Sequence, residues 1–398
     1  MTKVELKDGV FWVGVVDWNI RDFHGYITHR GTTYNAYLIV DEKIALVDTV
    51  KHGFFDEMLS RIKEIVDPKD IDYVISNHVE MDHSGSLPDI MREAVNAEVF
   101  ATKKGKEGLY NYYKGDWTFN TVKTGDQLNI GKKNLLFLEM PMLHWPDSMA
   151  TYIVEDHILL PNDAFGQHLA TAQRFEDEVE EEILMEEAAD YYANILMPLG
   201  SLILKKVEEI QKLGIPIDMI APSHGVIWRS NPAKIIEAYV NWSKGVAKKK
   251  VLIVYDTMWN STDQMARAIA NGVSDEKIEV RLLHLRKNDW SDIVKEILDT
   301  KAVIFGSPTL NNGMFPTVGG FLTYLKGLKP KNKIATAFGS YGWGRGAVKA
   351  INKELKEAGF EVIESGLEIK YRPDEDGLKK CYELGKEIAI KVKNLNME

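Results

Sequence analysis

The chain has 398 residues, which is long enough for two compact domains because a single hydrophobic core stops growing well below this length. Its hydrophobic content of 45% and charged content of 27% are typical of a soluble globular protein, and its formal net charge of −10 disfavours general binding to nucleic acid. A single cysteine, Cys381, excludes an internal disulfide and a cysteine-ligated metal cluster, so any redox chemistry needs an added cofactor.

The amino-terminal residues lack the basic and apolar regions of a signal peptide. No run of about 18 apolar residues, the length needed to cross a bilayer, occurs anywhere in the sequence. We therefore expect a cytoplasmic protein without a membrane partner.

Strand-like apolar runs in the first part of the chain come in clusters, which helix-length amphipathic segments separate in places. The predicted elements are strands at residues 37–40, 44–48, 73–76, 135–139, 151–154, 158–160 and 219–221, with helices at 54–65 and 203–213. Hairpins mixed with covering helices indicate an α/β sandwich. An acidic run at residues 176–182 has Val179 and Ile183 at helical spacing, so we interpret it as a solvated helix face.

Side chains that bind metals follow the ends of four of these strands. They are His78, Glu80, Asp82, His83, His144, Asp163 and His224. A lone histidine is more often a satisfied polar residue than a ligand, but four strand ends of a sandwich can converge on one rim. Neither packing nor solubility requires such a cluster, so the sequence predicts a metal site.

The ligand pattern resembles the metallo-β-lactamase superfamily, whose first motif is usually HxHxDH and whose later ligands are a histidine, a bridging aspartate and a histidine. Glu80 replaces the second histidine of that motif in this chain, and Asp163 takes the place of the bridge. Four imidazoles and three carboxylates without a thiolate form a hard, anionic ligand set. This set favours iron over zinc.

A short polar stretch at residues 243–250 precedes a second series of strands, so we place the domains at residues 1–248 and 249–398. The predicted strands of the second domain are residues 251–255, 280–285, 302–306, 334–338 and a last one near 361–369. They alternate with amphipathic helices, and this rhythm predicts a doubly wound, flavodoxin-like parallel sheet of five strands. Ligands of such sheets bind at the carboxyl ends of the strands.

Three unusual loops follow the first, third and fourth of these strands. Backbone N–H groups at a helix start, together with hydroxyl side chains, suit a phosphate, while glycines and aromatic side chains suit a flat ring. The loops resemble the three FMN-binding loops of flavodoxin, and the first lacks the GxGxxG motif of a dinucleotide site. The predicted FMN-binding residues are Thr257, Met258, Trp259, Asn260, Ser261, Thr262, Ser307, Pro308, Thr309, Leu310, Asn311, Ser340, Tyr341, Gly342, Trp343 and Gly344.

The motifs HxExDH, LHWPDSM, LPNDAFGQH, APSHG, YDTMWNST, GSPTLNN and FGSYGWG occur in this order, and together they resemble the flavodiiron proteins over nearly the whole chain. The resemblance implies an amino-terminal metallo-β-lactamase-like αβ/βα sandwich with two irons and a carboxyl-terminal flavodoxin-like domain with FMN. The implied ligands are His78, Glu80 and His144 for one iron, Asp82, His83 and His224 for the other, and Asp163 for both. Whether His83 binds iron directly stays open.

The resemblance also implies the activity, an oxidoreductase that reduces NO to N2O or O2 to water with FMN as the electron relay. Ferrous ions and FMNH2 together hold the electrons that O2 reduction requires. A head-to-tail homodimer or a dimer of dimers is implied, as is an external donor such as rubredoxin, because the chain has no cysteine-rich module. His24 and either Tyr191 or Tyr192 are expected beside the irons as catalytic residues; the sequence decides neither the tyrosine nor the gas.

Two other functions compete with this hypothesis. One is a dinuclear zinc hydrolase of metallo-β-lactamase type fused to a flavodoxin-like domain, and Glu80 argues against it. The other is a pure electron carrier, which would leave the aligned metal ligands without a purpose. Metal analysis together with an optical spectrum separates the three.

Overall fold

The computed structural model describes residues 4–363 and 365–395. No helix in this part of the chain combines the length and the apolarity that crossing a bilayer requires.

The described chain forms two compact units. The first unit contains the chain up to Tyr191 together with Leu202–Tyr239, and the second contains Tyr192–Ser201 together with the chain from Val240 onward. Neither unit is therefore one continuous stretch of sequence. The single domain boundary inferred from the sequence stays a prediction.

The strands of the first unit form two large sheets and two small ones. They are β1 (Val4–Lys7), β2 (Val10–Trp12), β3 (Val15–Asp17), β4 (Asp22–Phe23), β5 (Tyr26–Ile27), β6 (Thr32–Tyr34), β7 (Tyr37–Val40), β8 (Ile44–Val47), β9 (Tyr73–Ile75), β10 (Glu98–Thr102), β11 (Phe119–Val122), β12 (Gln127–Asn129), β13 (Asn134–Glu139), β14 (Met149–Ile153), β15 (Ile158–Leu160) and β16 (Met219–Ile220). The large sheets have the orders β1-β2-β7-β8-β9-β10-β11 and β12-β13-β14-β15-β16, while β3 pairs with β6 and β4 with β5.

Helices flank these strands in the sequence. They are α1 (Phe55–Lys63), α2 (Met81–Ser84), α3 (Leu87–Glu93), α4 (Lys103–Tyr113), α5 (Glu181–Tyr191), α6 (Gly200–Leu213) and α7 (Pro232–Lys244). The first residues of α6 and the last residues of α7 belong to the second unit.

The two large sheets enclose a common buried apolar layer. Tyr37 and Ile39 of β7 contribute to this layer together with Met149 of β14, whereas Leu38 lies in a second cluster that includes Met58 of α1. Successive residues of a strand point to opposite faces, so a sheet buried on both faces needs an apolar residue at nearly every position. The predicted α/β sandwich is confirmed.

The acidic run at residues 176–182 is largely exposed, as its spacing indicated, but it does not form one continuous helix face. Its first three residues form a short 3₁₀ helix, Glu176–Glu178. Glu176 accepts hydrogen bonds from the backbone N–H groups of Arg229 and Ser230, at 2.8 and 2.5 Å. The interpretation was wrong for Glu176, because its partners lie more than 50 residues away, where helical periodicity carries no information.

The strands of the second unit form one parallel sheet. They are β17 (Lys248–Tyr255), β18 (Glu279–His284), β19 (Thr300–Gly306), β20 (Ile334–Tyr341), β21 (Glu361–Val362) and β22 (Leu367–Lys370), in the order β18-β17-β19-β20-β21 with β22 also pairing with β20. The helices are α8 (Ser261–Asp275), α9 (Trp290–Leu298), α10 (Pro316–Leu328), α11 (Ala347–Glu357) and α12 (Glu375–Asn394). This is a doubly wound sheet, as predicted: β18 was added on one side of β17 and the later strands on the other, which places the switch point of the strand order between β17 and β19.

Two details of the second unit differ from the sequence prediction. The last strand, expected near residues 361–369, is divided into β21 and β22, and Gly366 between them has a φ of +96° that extended backbone does not allow. The polar stretch predicted as a linker is mostly regular structure, since α7 ends at Lys244 and β17 begins at Lys248. Its lysines serve the fold: Lys250 is buried and donates to Asp299 at 3.0 Å.

Lys333, just before β20, is expected to weaken the fold at neutral pH. Lys333 is only 3% exposed, and burial lowers the pKa of its amine from 10.5 to about 7. A lysine whose pKa is depressed on folding destabilises the protein most below the folded pKa and not at all above the unfolded one. Lys333→Met should therefore raise the free energy of unfolding by roughly 2–4 kcal/mol at pH 7.

Urea denaturation between pH 6 and pH 10 measures this effect. The gain should be largest at or below pH 7 and should shrink toward pH 10.5, the ordinary pKa of lysine. The exposed Lys329 provides the matched control, because Lys329→Met should change stability little at any of these pH values. A gain for Lys333→Met that does not vary with pH would contradict the prediction.

Candidate functional site

The seven predicted metal ligands come together at one edge of the first unit. The motif that begins with His78 follows β9 and enters α2, His144 lies between β13 and β14, Asp163 follows β15, and His224 follows β16. The side chains form two groups, which are His78, Glu80, His144 and Asp163, and Asp82, His83 and His224. Strand ends therefore place the ligands, as the sequence predicted.

The first group surrounds one oxygen of Asp163. His144 Nε2 lies 3.3 Å from Glu80 Oε2 and 3.4 Å from Asp163 Oδ2. His78 Nε2 lies 3.3 Å from the same Glu80 oxygen and 3.7 Å from Asp163 Oδ2. Four ligand atoms thus face a common point.

The second group surrounds the other oxygen of Asp163. His83 Nε2 lies 3.1 Å from both Asp82 Oδ2 and Asp163 Oδ1. His224 Nε2 lies 3.1 Å from Asp82 Oδ2 and 3.3 Å from Asp163 Oδ1. Asp163 therefore presents one carboxylate oxygen to each group, which is the geometry of a bridging ligand.

The donor atoms are placed to bind two metal ions, and several of them make no hydrogen bond with one another. The Nε2 atoms of His83, His144 and His224 and both carboxylate oxygens of Asp82 are buried without a hydrogen-bond partner. Burying unpaired polar atoms costs roughly 1–3 kcal/mol each. Such a large number of unpaired atoms in one place therefore requires a compensating group. Ligands that share an ion at about 2.1 Å lie roughly 3.0–3.4 Å apart, close to the spacing of both groups.

The electrostatics of the cluster also call for positive charge. Burial alone lowers the pKa of His78, but hydrogen bonds with Asp147 and Glu80 raise it to about 9. Burial likewise favours a protonated Asp163, yet the charge of His83 brings the pKa of Asp163 well below its usual range. Since cations replace protons on such ligands, the carboxylates hold a pocket ready for metal.

Two partners that the sequence did not reveal orient the ligand imidazoles. His78 Nδ1 donates to Asp147 Oδ2 at 2.9 Å, and His224 Nδ1 donates to the carbonyl oxygen of Thr33 at 2.7 Å. Each bond fixes the tautomer, so that the Nε2 lone pair faces the pocket. Asp147 belongs to the LHWPDSM motif, which was the one available signal, while Thr33 offered none.

His24 and one of the two candidate tyrosines reach the metal cluster. His24 Nε2 lies 3.5 Å from Glu80 Oε1 and 3.7 Å from Asp82 Oδ2, and its ring stacks on Phe23. Tyr191 donates from its hydroxyl to Asp163 Oδ1 at 2.9 Å. The hydroxyl of Tyr192 instead lies 2.8 Å from Ser243 Oγ, and the structure does not bring it to the cluster.

His168 is a further buried residue beside the ligands, and it was not singled out from the sequence. Its ring centroid lies 5.1 Å from that of His224 and 4.9 Å from that of Tyr191. Nδ1 is 2.8 Å from Thr32 Oγ1, and Nε2 has no hydrogen-bond partner. Burial lowers the pKa of His168, so the ring is neutral at neutral pH. Its place in the LPNDAFGQH motif was the available signal.

The predicted flavin loops lie together at one edge of the second unit's sheet. They follow β17, β19 and β20, which run parallel as neighbours. Thr309 N donates to Ser340 O at 2.8 Å, and Thr262 Oγ1 lies 3.0 Å from Ser340 Oγ. The structure therefore brings the first, second and third loops into contact.

The first loop offers free donors at the start of α8. Asn260 precedes the helix with a φ of 64° and makes no side-chain cap, so the first helical N–H groups lack that partner. Thr257 Oγ1 is buried and has no hydrogen-bond partner. An oxyanion such as a phosphate would satisfy these groups.

Two indoles at the same edge are unusually exposed. Trp259 is 83% exposed and Trp343 is 95% exposed, although tryptophan is buried on average. Exposed aromatic side chains beside a cradle for an oxyanion suit a ligand with a phosphate at one end and a flat apolar ring at the other. FMN has this constitution, and the residues present fit it.

Comparisons with known proteins define the class of the chain. The family model "ODP family beta lactamase" matches residues 32–225, and the model "Flavodoxin" matches residues 253–385. The fold and the two sites therefore describe a metallo-β-lactamase-like unit joined to a flavodoxin-like unit.

Individual relatives give the family. The chain is 52% identical to "Nitric oxide reductase" of Moorella thermoacetica, covering 98% of both chains. It is 44% identical to "Anaerobic nitric oxide reductase flavorubredoxin" of Escherichia coli K12, covering 97% of this chain and 82% of that one. The rubredoxin oxygen:oxidoreductase of Desulfovibrio gigas matches in structure with a TM-score of 0.96, 39% identity, and 98% and 99% coverage. The chain belongs to the flavodiiron proteins, oxidoreductases that carry FMN and a non-haem di-iron centre.

Proposed function

We propose that this chain reduces nitric oxide to nitrous oxide, dioxygen to water, or both, at the di-iron centre of its first unit, with FMN in its second unit as the electron relay. The observation that carries the proposal is Asp163, whose two oxygens each face a separate group of metal ligands. The names of the relatives, which include a nitric oxide reductase and an oxygen oxidoreductase, support both gases.

The proposed ligands follow the two groups of side chains. They are His78, Glu80, His144 and Asp163 for one iron, and Asp82, His83, His224 and Asp163 for the other. When bound, the irons would bind and activate the gas and, with reduced FMN, supply its electrons. His83 is proposed as a direct ligand because its Nε2 lies as close to Asp163 as that of His224 does.

Other residues of the chain would manage protons and orientation at this centre. Burial raises the pKa of Tyr191 well above its ordinary value, so the hydroxyl stays protonated at neutral pH and keeps its hydrogen bond to Asp163. Burial lowers the pKa of His24, which leaves a neutral ring with one N–H to donate toward a diatomic ligand. We give Tyr192 no role in the reaction.

The three loops of the second unit are the proposed FMN site. The Thr257 hydroxyl and the N–H groups at the start of α8 would hold the phosphate. Tyr341 or Trp343 would stack on the ring, since both belong to the third loop and Trp343 is almost fully exposed.

The partners follow from the proposed electron path. We propose a rubredoxin-type external donor, since one similar structure is named a rubredoxin oxygen:oxidoreductase. A head-to-tail homodimer or a dimer of dimers in the cytoplasm completes the proposal by placing the FMN of one subunit beside the irons of another. Size-exclusion chromatography with light scattering tests the oligomer, and reduction by purified rubredoxin tests the donor.

A dinuclear zinc hydrolase is the less favoured function. The carboxylate of Glu80 within the first ligand group and the exposed indoles of the second unit have no purpose in such an enzyme. Metal analysis with an optical spectrum decides between the two functions, and about two irons and one FMN per chain are expected. Zinc without flavin would refute the proposal. Anaerobic steady-state rates with NO and with O2 then identify the preferred gas.

A further inference from the structure

A buried carboxylate, Asp256, stands at the carboxyl end of β17, immediately before the first flavin loop. It accepts hydrogen bonds from Thr257 N at 2.6 Å, from His284 Nε2 at 3.0 Å, and from Arg286 Nε and Nη2 at 3.0 and 2.8 Å. The hydroxyl of Thr317 donates to its other oxygen.

These contacts connect separate segments of the chain to the carboxylate of Asp256. Thr257 belongs to the first flavin loop, Arg286 follows β18, and Thr317 lies in the first turn of α10, the helix that follows the second flavin loop. Arg286 also donates from Nη2 to the carbonyl oxygen of Thr257 at 2.5 Å. The guanidinium therefore fixes the backbone of the loop residue whose hydroxyl is left free for a ligand.

The charges at this point would be unfavourable for a phosphate without Arg286. Burial alone raises the pKa of Asp256, but the hydrogen bonds from Arg286 and Thr317 outweigh it and keep the pKa below its usual value. Asp256 is thus an anion, and a phosphate monoester would add a second anion to the same loop. The Arg286 guanidinium is about half exposed, so it can face incoming charge while it holds Asp256.

We propose that Arg286, held in place by Asp256, is a positioning residue that compensates charge in the first loop and thereby selects a flavin carrying a phosphate over one without it. The inference rests on the proposed FMN site of the second unit. It goes beyond that site by assigning the preference for the phosphorylated flavin to a side chain outside the three loops.

Flavin binding to the full-length chain, stripped of flavin, tests the proposal. The quenching of flavin fluorescence on titration gives Kd for FMN and for riboflavin, which lacks the phosphate. Arg286→Met should weaken FMN binding by roughly tenfold or more and leave riboflavin binding within about twofold of the wild type. Arg286→Lys should lie between the wild type and Arg286→Met for FMN, because lysine keeps the charge but not the fork of donors.

A double variant separates charge from structure. Asp256→Asn removes the buried anion, so Asp256→Asn with Arg286→Met should bind FMN more tightly than Arg286→Met alone. Arg267→Met is the matched control, since Arg267 also pairs with an aspartate, Asp263, on an exposed turn of α8, and it should change neither Kd.

Two results would overturn the proposal. One is an equal loss of FMN and riboflavin affinity in Arg286→Met, which would mean that the loop has merely collapsed. The other is unchanged FMN affinity in that variant. A wild-type chain that binds no FMN would instead refute the FMN site itself, so the two failures are distinguishable.

Discussion

Asp163→Asn is expected to abolish gas reduction, lowering the rate by more than about 100-fold, while the chain keeps its FMN. An asparagine has only one acceptor oxygen, and its amide donors would face the imidazoles that Asp163 now faces on both sides. The variant should therefore lose its bridge and hold fewer than two irons per chain. Iron analysis, the flavin absorbance spectrum and anaerobic rates with NO and O2 measure the three quantities.

The retained flavin is the internal control for this variant, because Asp163 belongs to the first unit and the proposed FMN loops belong to the second. Normal rates with a full complement of iron would contradict the assignment of Asp163 as the bridge. Loss of FMN with the irons intact would show that the two sites had been assigned to the wrong units.

Asp147→Asn is expected to weaken iron retention by about 10–100-fold, the usual effect of losing a carboxylate that orients a histidine ligand. Asp147 accepts hydrogen bonds from His78 Nδ1 at 2.9 Å and from Val79 N at 2.8 Å, so it fixes both the ring of the first ligand and the backbone beside it. An amide would accept less strongly and can present its own N–H to the ring. Iron content after timed exposure to a chelator measures the loss.

The exposed pair His157 and Asp218 provides a matched control for Asp147→Asn. Its Nδ1 to carboxylate distance is also 2.9 Å, but it lies at the surface and contains no proposed ligand. Asp218→Asn should retain iron as the wild type does. If Asp147→Asn retained iron equally well, Asp147 would have no part in orienting His78.

The ligand cluster was predictable because its geometry is encoded locally. Each strand that ends at the site carries a His or an Asp within a few residues of its end, and the sandwich places those ends on one rim. The flavin loops were predictable for a similar reason, since parallel neighbours such as β17 and β19 share a carboxyl edge. Chain direction alone then determines which side chains meet.

Contacts across long sequence separations were not predictable in this way. Asp147 follows Pro146 in a turn, where aspartate is common for local reasons, and nothing in the sequence links it to a residue 69 positions earlier. Tyr191 and Tyr192 are adjacent, at the junction between α5, which ends at Tyr191, and a π-helical turn over Tyr192–Leu196, and their hydroxyls have different partners. Such choices depend on helix ends that residue patterns define poorly.

The segment Tyr192–Ser201 limits how the chain can be divided into separately expressed units. Within the second unit, Asn194 Oδ1 accepts from the hydroxyl of Tyr324 at 2.6 Å, and Tyr192 contacts Ser243. A fragment that starts at residue 249 would omit this stretch and leave Tyr324 without that acceptor. A flavin-binding fragment therefore needs residues 192–201 as well, either grafted onto it or joined to it by circular permutation. A single truncation at residue 249 would not provide them.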